Sequence, residues 1–377
     1  AIEWTLRVAA AFGRGIRGGR QRLNLWSTGR ARVASPGDAT MRVSLLPARC
    51  PMLHDEPLKT DSGPPETAAP PAGMSEHVPT WHHGPVTVYF GAKSGKYPDG
   101  NQVVVRGSDS TAVFDTPQVA NRIGAVLDTA DIAILSHVHE DHMAGLHRLA
   151  RAEVHVHAAD VEAARSWEGL CRHYGYEPAQ LQALKAKIEA EFHYVSRPDA
   201  VAYVEGRTWD LGGVRVRAVH LPGHTAGHSA LLIEPHGIAF IGDIDLTGFG
   251  PYYGDASSSL SAFRESIARL AQLPASAWIT SHHKGVITDR AAFDEALSRY
   301  AARLDEREQR LLEMLDDGPQ TVDQLARRRL LYPADFNEVW VEFAERRSIE
   351  QHLLELRANA RVTAMADAPG EPIRYTR

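Results

Sequence analysis

From about residue 84, short runs of β-branched and apolar residues alternate with turn formers. Val86–Phe90, Gln102–Arg106 and Thr111–Phe114 read as strands, parted by Tyr97-Pro98-Asp99-Gly100-Asn101 and by Gly107-Ser108-Asp109. Asp131–Leu135 is another apolar strand and ends in a histidine cluster. Residues 159–193, rich in Ala, Leu, Lys and Glu, carry helical composition. Strands resume at Val214–His220, Ser229–Ile233 and Ile238–Ile241, followed by a helix at about 258–272 and a strand at Ala277–Thr280. Two similar rounds of strands and helices predict a layered α/β body.

After Asp289 the pattern turns helical and charged. Leu304, Leu311, Leu312 and Leu315 fall on one helical stripe, which Asp317-Gly318-Pro319 stops. Thr321 is placed to cap a second helix, Ile349–Leu356 reads as a third, and Arg361-Val362-Thr363 as a short strand. Such a set predicts a small winged-helix-like module. The expected domains are a leader over 1–80, a catalytic body over 81–295 and the helical module over 296–377.

Residues 1–49 hold nine arginines against two acids, and residues 57–73 are rich in Pro, Ala, Thr and Gly. The first 73 residues are therefore read as a leader outside the fold, either an organelle-targeting segment or an extension without a role in it. The chain has 377 residues, 44% hydrophobic and 23% charged, and a formal charge of −6, which gives no reason to expect a polyanionic main partner. No apolar run approaches the roughly 18 residues of a membrane span. Only two cysteines are present, which suits a reducing compartment and a cytoplasmic location. The nineteen histidines are the unusual count, and their placement carries the chemistry.

Ser136-His137-Val138-His139-Glu140-Asp141-His142 packs four metal-binding side chains into six positions directly after a strand. Imidazole and carboxylate suit Zn²⁺, Mn²⁺ or Fe²⁺. His137 and His139, two apart, can point the same way, while Asp141 and His142, opening the next helix, can face a second metal. Leu221-Pro222-Gly223-His224-Thr225-Ala226-Gly227-His228 is a tight loop presenting His224; His220 and His228 are read as structural. Gly242-Asp243 ends a strand and offers a carboxylate between two cations. Ser281-His282-His283-Lys284-Gly285 offers His282 as the last ligand, with His283 as the alternative.

With these motifs in view, the chain resembles the metallo-β-lactamase superfamily over roughly 84–290. The resemblance rests on His-x-His-x-Asp-His at 137–142, Pro-Gly-His-Thr-x-Gly-His at 222–228 and Gly-Asp at 242–243. It implies an α/β fold, a four-layer αββα sandwich with its metal cleft along one edge. It also implies that His137, His139 and His224 hold one metal, that Asp141, His142 and His282 hold another, and that Asp243 lies between them. Two zinc ions per chain are expected, with Mn²⁺ or Fe²⁺ as alternatives. The residues around His282 depart from the Gly-His-Gly common in the family. The C-terminal helices are similar to the tail of the lactamase-β-like branch.

The expected activity is hydrolysis by a metal-activated hydroxide. Asp141 would orient this nucleophile, and Asp115 would support a metal histidine or shape a turn. Tyr253 is expected to stabilise the developing oxyanion, and Tyr252 and Lys284 to contact substrate; aromatic packing and a solvated lysine are the plainer alternatives. A small ester, thioester or lactone is the first substrate class. Endoribonuclease or phosphodiesterase activity is the second, and persulfide oxidation on a single iron the third. Residues 299–377 hold 13 basic and 15 acidic side chains, which argues against a nucleic-acid partner and favours a role for the tail in homodimerisation or as a lid.

Overall fold

A computed structural model describes residues 78–366 and 370–377. The segment read as a leader lies outside them, apart from its last three positions. The described residues form one compact unit.

The first sheet has seven strands in chain order: β1 (Thr80–His83), β2 (Val86–Tyr89), β3 (Gln102–Arg106), β4 (Thr111–Phe114), β5 (Ile132–Ile134), β6 (Glu153–His157) and β7 (Val201–Tyr203). β1 to β4 form an antiparallel meander, and β4 to β7 run parallel. The second sheet, in spatial order, is β13 (Val286–Ile287), β12 (Ala277–Ile279), β11 (Ile238–Phe240), β10 (Ser229–Glu234), β9 (Arg215–His220) and β8 (Thr208–Asp210). Its one parallel pair is β11 with β12.

Alternation along the strands builds the layers. Val103, Val105, Ala112 and Phe114 face Val216, Leu231, Ile233 and Phe240 across the space between the sheets. Val104, Val113 and Val154 point the other way, beneath the helices Trp167–Tyr174 and Pro178–Glu191. Ala230, Leu232, Ala239 and Trp278 are covered by Leu260–Leu270 and by the first half of Arg290–Leu315. Strands buried on both faces read as near-continuous apolar runs. The result is the four-layer αββα arrangement. Phe293 stacks on Trp278 with ring centroids 4.0 Å apart, worth about 0.5–1.5 kcal/mol beyond burial.

The helical stretch expected over 159–193 is broken into three helices. Ser166 turns extended (φ −154°) and caps the second by accepting from Gly169 N. Asp141 and His142 open no α-helix: Glu140–His142 is a single 3₁₀ turn.

The helix Arg290–Leu315 runs unbroken past residue 296. Its second half packs Leu311, Leu312 and Leu315 against Leu325, Ile349, Leu353 and Leu356 in a fourth core. Thr321 caps the helix Val322–Arg327 with a reciprocal box: its hydroxyl accepts from Gln324 N and its own N–H donates to Gln324 Oε1. A small sheet, β14 (Gln320–Thr321), β16 (Arg374–Thr376) and β15 (Thr363–Met365), closes this region. The last helix spans Val341–Ala358, beginning eight residues before the apolar stretch at Ile349, because Ala344, Glu345 and Ser348 are buried as well. Among the described residues no helix is long and apolar enough to cross a membrane.

Candidate metal centre

Residues at the C-terminal ends of four parallel-paired strands meet at one edge of the sandwich. Asp115 follows β4, the 137–142 segment follows β5, Asp243 follows β11 and His282 follows β12. The loop between β9 and β10 brings His224 to them. Buried Asp160 holds that loop, accepting from Thr225 Oγ1 at 2.6 Å and Gly227 N at 2.7 Å. Gly242 turns the chain at φ +56°, and a Cβ there would lie 2.5 Å from His228 Nε2. Only glycine suits that turn.

The structure brings His137, His139, Asp141, His142, His224, Asp243 and His282 together. His224 Nε2 lies 3.2 Å from His137 Nε2 and 3.1 Å from His139 Nδ1. On the other side, His282 Nε2 lies 3.2 Å from Asp141 Oδ2, and His142 Nε2 is 3.7 Å from Asp141 Oδ1. Asp243 stands between the groups: Oδ2 is 3.4 Å from His224 Nε2, and Oδ1 is 3.2 Å from His142 and 3.4 Å from His282. His283 does not join them; it is half-buried at the rim, with φ +58°.

Outer partners fix the tautomer of every imidazole in the cluster. His139 Nε2 donates to Asp255 Oδ2 at 2.8 Å, and His142 Nδ1 to Asp115 Oδ2 at 2.8 Å. His224 Nδ1 donates to Tyr252 O at 3.0 Å and His282 Nδ1 to Gly95 O at 2.8 Å. Ser136 Oγ gives its only hydrogen to Asp115 at 2.7 Å, so it accepts from His137 Nδ1 at 3.0 Å. Each outer nitrogen therefore carries a hydrogen, and five inner lone pairs converge with two carboxylates. His142 Nε2 and Asp243 Oδ1 are buried without a hydrogen bond. Lone pairs packed this way repel one another unless cations lie among them, so the donor set fits divalent metal.

Without metal, the cluster would have to take up protons. Burial resists charge on His139, but the Asp255 carboxylate outweighs it and lifts the imidazole to about 9. Burial opposes charge on His282 too, yet Asp243 and Asp141 lift it to about 10. His224, buried and facing His139, is pushed down to about 4. For Asp141, burial is outweighed by His142 and His282, which hold the carboxyl below its ordinary range.

Asp115 both shapes its turn (φ +52°) and orients His142: it accepts from Ser136 N at 2.7 Å and from His142. His228 lies behind the cluster, donating to Leu221 O and accepting from Asp243 N. His220 donates to Ala226 O.

One sequence expectation is corrected. Tyr253 does not reach the cleft: it is fully buried beneath it, its hydroxyl donating to His352 Nε2 at 2.8 Å while accepting from Arg307. In an extended loop adjacent side chains point to opposite sides, and it is Tyr252 that faces His139 and His224 across the cleft. The Tyr252 hydroxyl donates to Asp255 Oδ1 at 3.1 Å. Lys284 is exposed and lines a neighbouring cavity beside the cleft, so the expectation that it contacts substrate is not overturned.

The metal cleft encloses about 650 Å³. Its far wall comes from the tail: Tyr332, Phe336 and Trp340 face Tyr97, Tyr252 and Phe249. Tyr332 and Phe336 stack at 5.1 Å, and Trp340 meets Tyr97 edge to face at 5.8 Å. Sequence reasoning missed this wall, and it missed Asp255, whose side chain holds His139 and also accepts from Tyr176 at 2.7 Å.

Comparisons with known proteins agree with this geometry. The metallo-beta-lactamase superfamily profile matches residues 95–282. A metallo-beta-lactamase fold-containing protein of Sulfurisphaera tokodaii is 29% identical over 161 residues, 39% of this chain and 58% of that protein. An acyl-coenzyme A thioesterase of Bos taurus is 27% identical over 179 residues, 40% of this chain and 61% of that enzyme. This chain thus covers less than two thirds of either relative. A metallo-beta-lactamase family protein of Thermus thermophilus, 27% identical, superposes with a TM-score of 0.56 over 75% of this chain and 95% of its own. Matched segment, sandwich topology and converging strand tips point one way, and the chain belongs to the metallo-beta-lactamase superfamily.

Proposed function

We propose that the chain hydrolyses a small carboxylic thioester or ester with an apolar acyl group, using divalent metal held by His137, His139, Asp141, His142, His224, Asp243 and His282. Zinc is the first candidate, two ions per chain. The observation that carries this reading is the set of five inward lone pairs beside two carboxylates. Bound there, the metal supplies Lewis acidity and brings the pKa of water toward neutrality. Asp141, which lines the cleft, accepts a hydrogen of the attacking water and orients it. The water oxygen bonds to the acyl carbon, the C–S or C–O bond breaks, and the leaving group departs with a proton. The Tyr252 hydroxyl already donates to Asp255, so its part is to hold that carboxylate against His139.

The aromatic wall supports an apolar acyl group, because such rings bury an alkyl or aryl chain well and a sugar–phosphate chain poorly. The cleft also bears Glu140, Glu191, Asp245 and Glu338 against Lys96 and Lys187, of which Lys187 is already paired with Glu191 and Glu338, an acidic excess that suits RNA poorly. The bovine relative's thioesterase activity supports the thioester in particular.

The test is a panel of acyl thioesters, esters, a lactone and single-stranded RNA, with metal content measured by elemental analysis. Turnover of thioester or ester that a chelator abolishes, and that His139→Ala lowers at least a thousandfold, is the expected result. RNA cleavage alone would replace this reading with the phosphodiesterase one. A single iron per chain would favour persulfide oxidation.

A further inference from the structure

A second cavity of about 600 Å³ lies beside the metal cleft, and His283 lines both. Its charged side chains are all basic, Lys93, Arg122 and Lys284, and no carboxylate is among the lining residues. Arg122 is already paired with Asp99 at 2.5 Å. Lys93 and Lys284 have no carboxylate partner among the described residues. Pro79 and Phe90 supply an apolar floor.

The loop bearing Lys93 is built, not loose. Buried Asp99 accepts from Ala92 N at 2.6 Å, and buried Asn101 accepts from Gly91 N at 3.1 Å. The Gly95 carbonyl takes the Nδ1 hydrogen of His282, which ties the loop to the metal cluster. Lys93 (φ +52°), Ser94 (φ +61°) and His283 (φ +58°) all hold left-handed backbone, a strained conformation for non-glycine residues that gathers at ligand sites. Unpaired cations over an apolar floor suit an oxyanion carried on a flat ring.

We infer that this cavity is an anion subsite that takes the phosphorylated end of the substrate's leaving group while the acyl carbon lies in the metal cleft. The inference rests on the thioester reading, and it narrows the substrate class to acyl thioesters of a phosphate-bearing, ring-bearing thiol. The metal cleft recognises the acyl half and the basic cavity the other half.

The test compares one acyl group on coenzyme A and on N-acetylcysteamine, which lacks the phosphates. Lys284→Gln and Lys93→Asn remove the charges; asparagine tolerates the left-handed backbone at position 93. The expected result is a rise of about tenfold in the ratio of KM for the coenzyme A thioester to KM for the N-acetylcysteamine thioester. The effect should shrink as salt screens the wild-type cavity. An unchanged ratio would overturn the subsite. Calorimetric titration with adenosine diphosphate gives a readout independent of turnover, since any binding at the metal cluster is common to wild type and variants. If neither thioester is hydrolysed, the thioester reading fails by itself. The titration then decides the site: affinity weakened about tenfold by the two substitutions sustains it, and affinity they leave unaltered removes it.

Discussion

The imidazole of His139 donates from Nε2 to Oδ2 of Asp255 at 2.8 Å, and so turns its Nδ1 lone pair toward His224. The other Asp255 oxygen accepts from Tyr176 and Tyr252, so two hydroxyls aim the carboxylate. Asp255→Asn keeps the shape but weakens the acceptor. It should lower metal affinity about ten- to hundredfold with the fold retained. Metal retained after dialysis against a graded chelator, with circular dichroism as the control, checks this.

Removing metal leaves the inner lone pairs facing one another. With free zinc a thousandfold above its Kd, the loaded protein should be about 4 kcal/mol more stable than the stripped one. Denaturant unfolding with and without chelator measures the difference, and readdition of zinc should restore both stability and turnover.

Tyr253→Phe separates the residue that the sequence pointed to from the one that the fold placed at the cleft. The hydroxyl bridges His352 and Arg307 in a buried setting, so its loss should cost about 1–2 kcal/mol. Initial rates with the substrate found by the panel should stay within about twofold of wild type. A drop of a hundredfold or more in kcat would return Tyr253 to the chemistry.

His352 should make the protein acid-sensitive. Burial first, and then the charges of Arg264 and Arg307, push its imidazole down to about 3. An unfolded histidine titrates near 6.5, so below that pH the unfolded chain takes a proton that the folded chain refuses. This contribution to stability is complete above pH 6.5 and falls progressively toward pH 3, by about 2 kcal/mol at pH 5. His352→Gln should therefore show a shallower loss of stability between about pH 7.5 and 5, although it starts lower.

Glu345, fully buried, accepts from the main-chain N–H groups of Leu330, Leu331 and Tyr332 and so fixes the start of the aromatic wall. Glu345→Gln replaces one acceptor oxygen with a donor facing those same N–H groups. We expect KM for apolar acyl substrates to rise several-fold with kcat little changed, a split that steady-state kinetics resolves.

Much of the sandwich is legible in the sequence because β3, β4, β10 and β11 are runs of buried Val, Ile, Leu and Phe. β6 is harder to read because Glu153–His157 interleaves valine with histidine, although four of its five residues are buried. β7 and β8, three residues each, hold too few positions to show a period. The ligand histidines are readable because they cluster along the chain next to strand ends. Asp255 is not, because it acts through His139 from 116 residues away and belongs to no motif of its own. Tyr332, Phe336 and Trp340 look like ordinary tail aromatics until the fold carries them across the cleft.

The helix Arg290–Leu315 puts Leu297, Tyr300 and Leu304 into the sandwich and Leu311, Leu312 and Leu315 into the tail, and the Tyr300 hydroxyl grips the carbonyl of Asp243. The rod works as a shared axle. A chain severed at residue 296 would lose Leu297, Tyr300 and Leu304 from the outer layer of the sandwich and the Tyr300 hold on the loop carrying Asp243. Displacing the tail would likewise be felt at that carbonyl, so the last eighty residues support the cluster although they hold none of the proposed metal ligands.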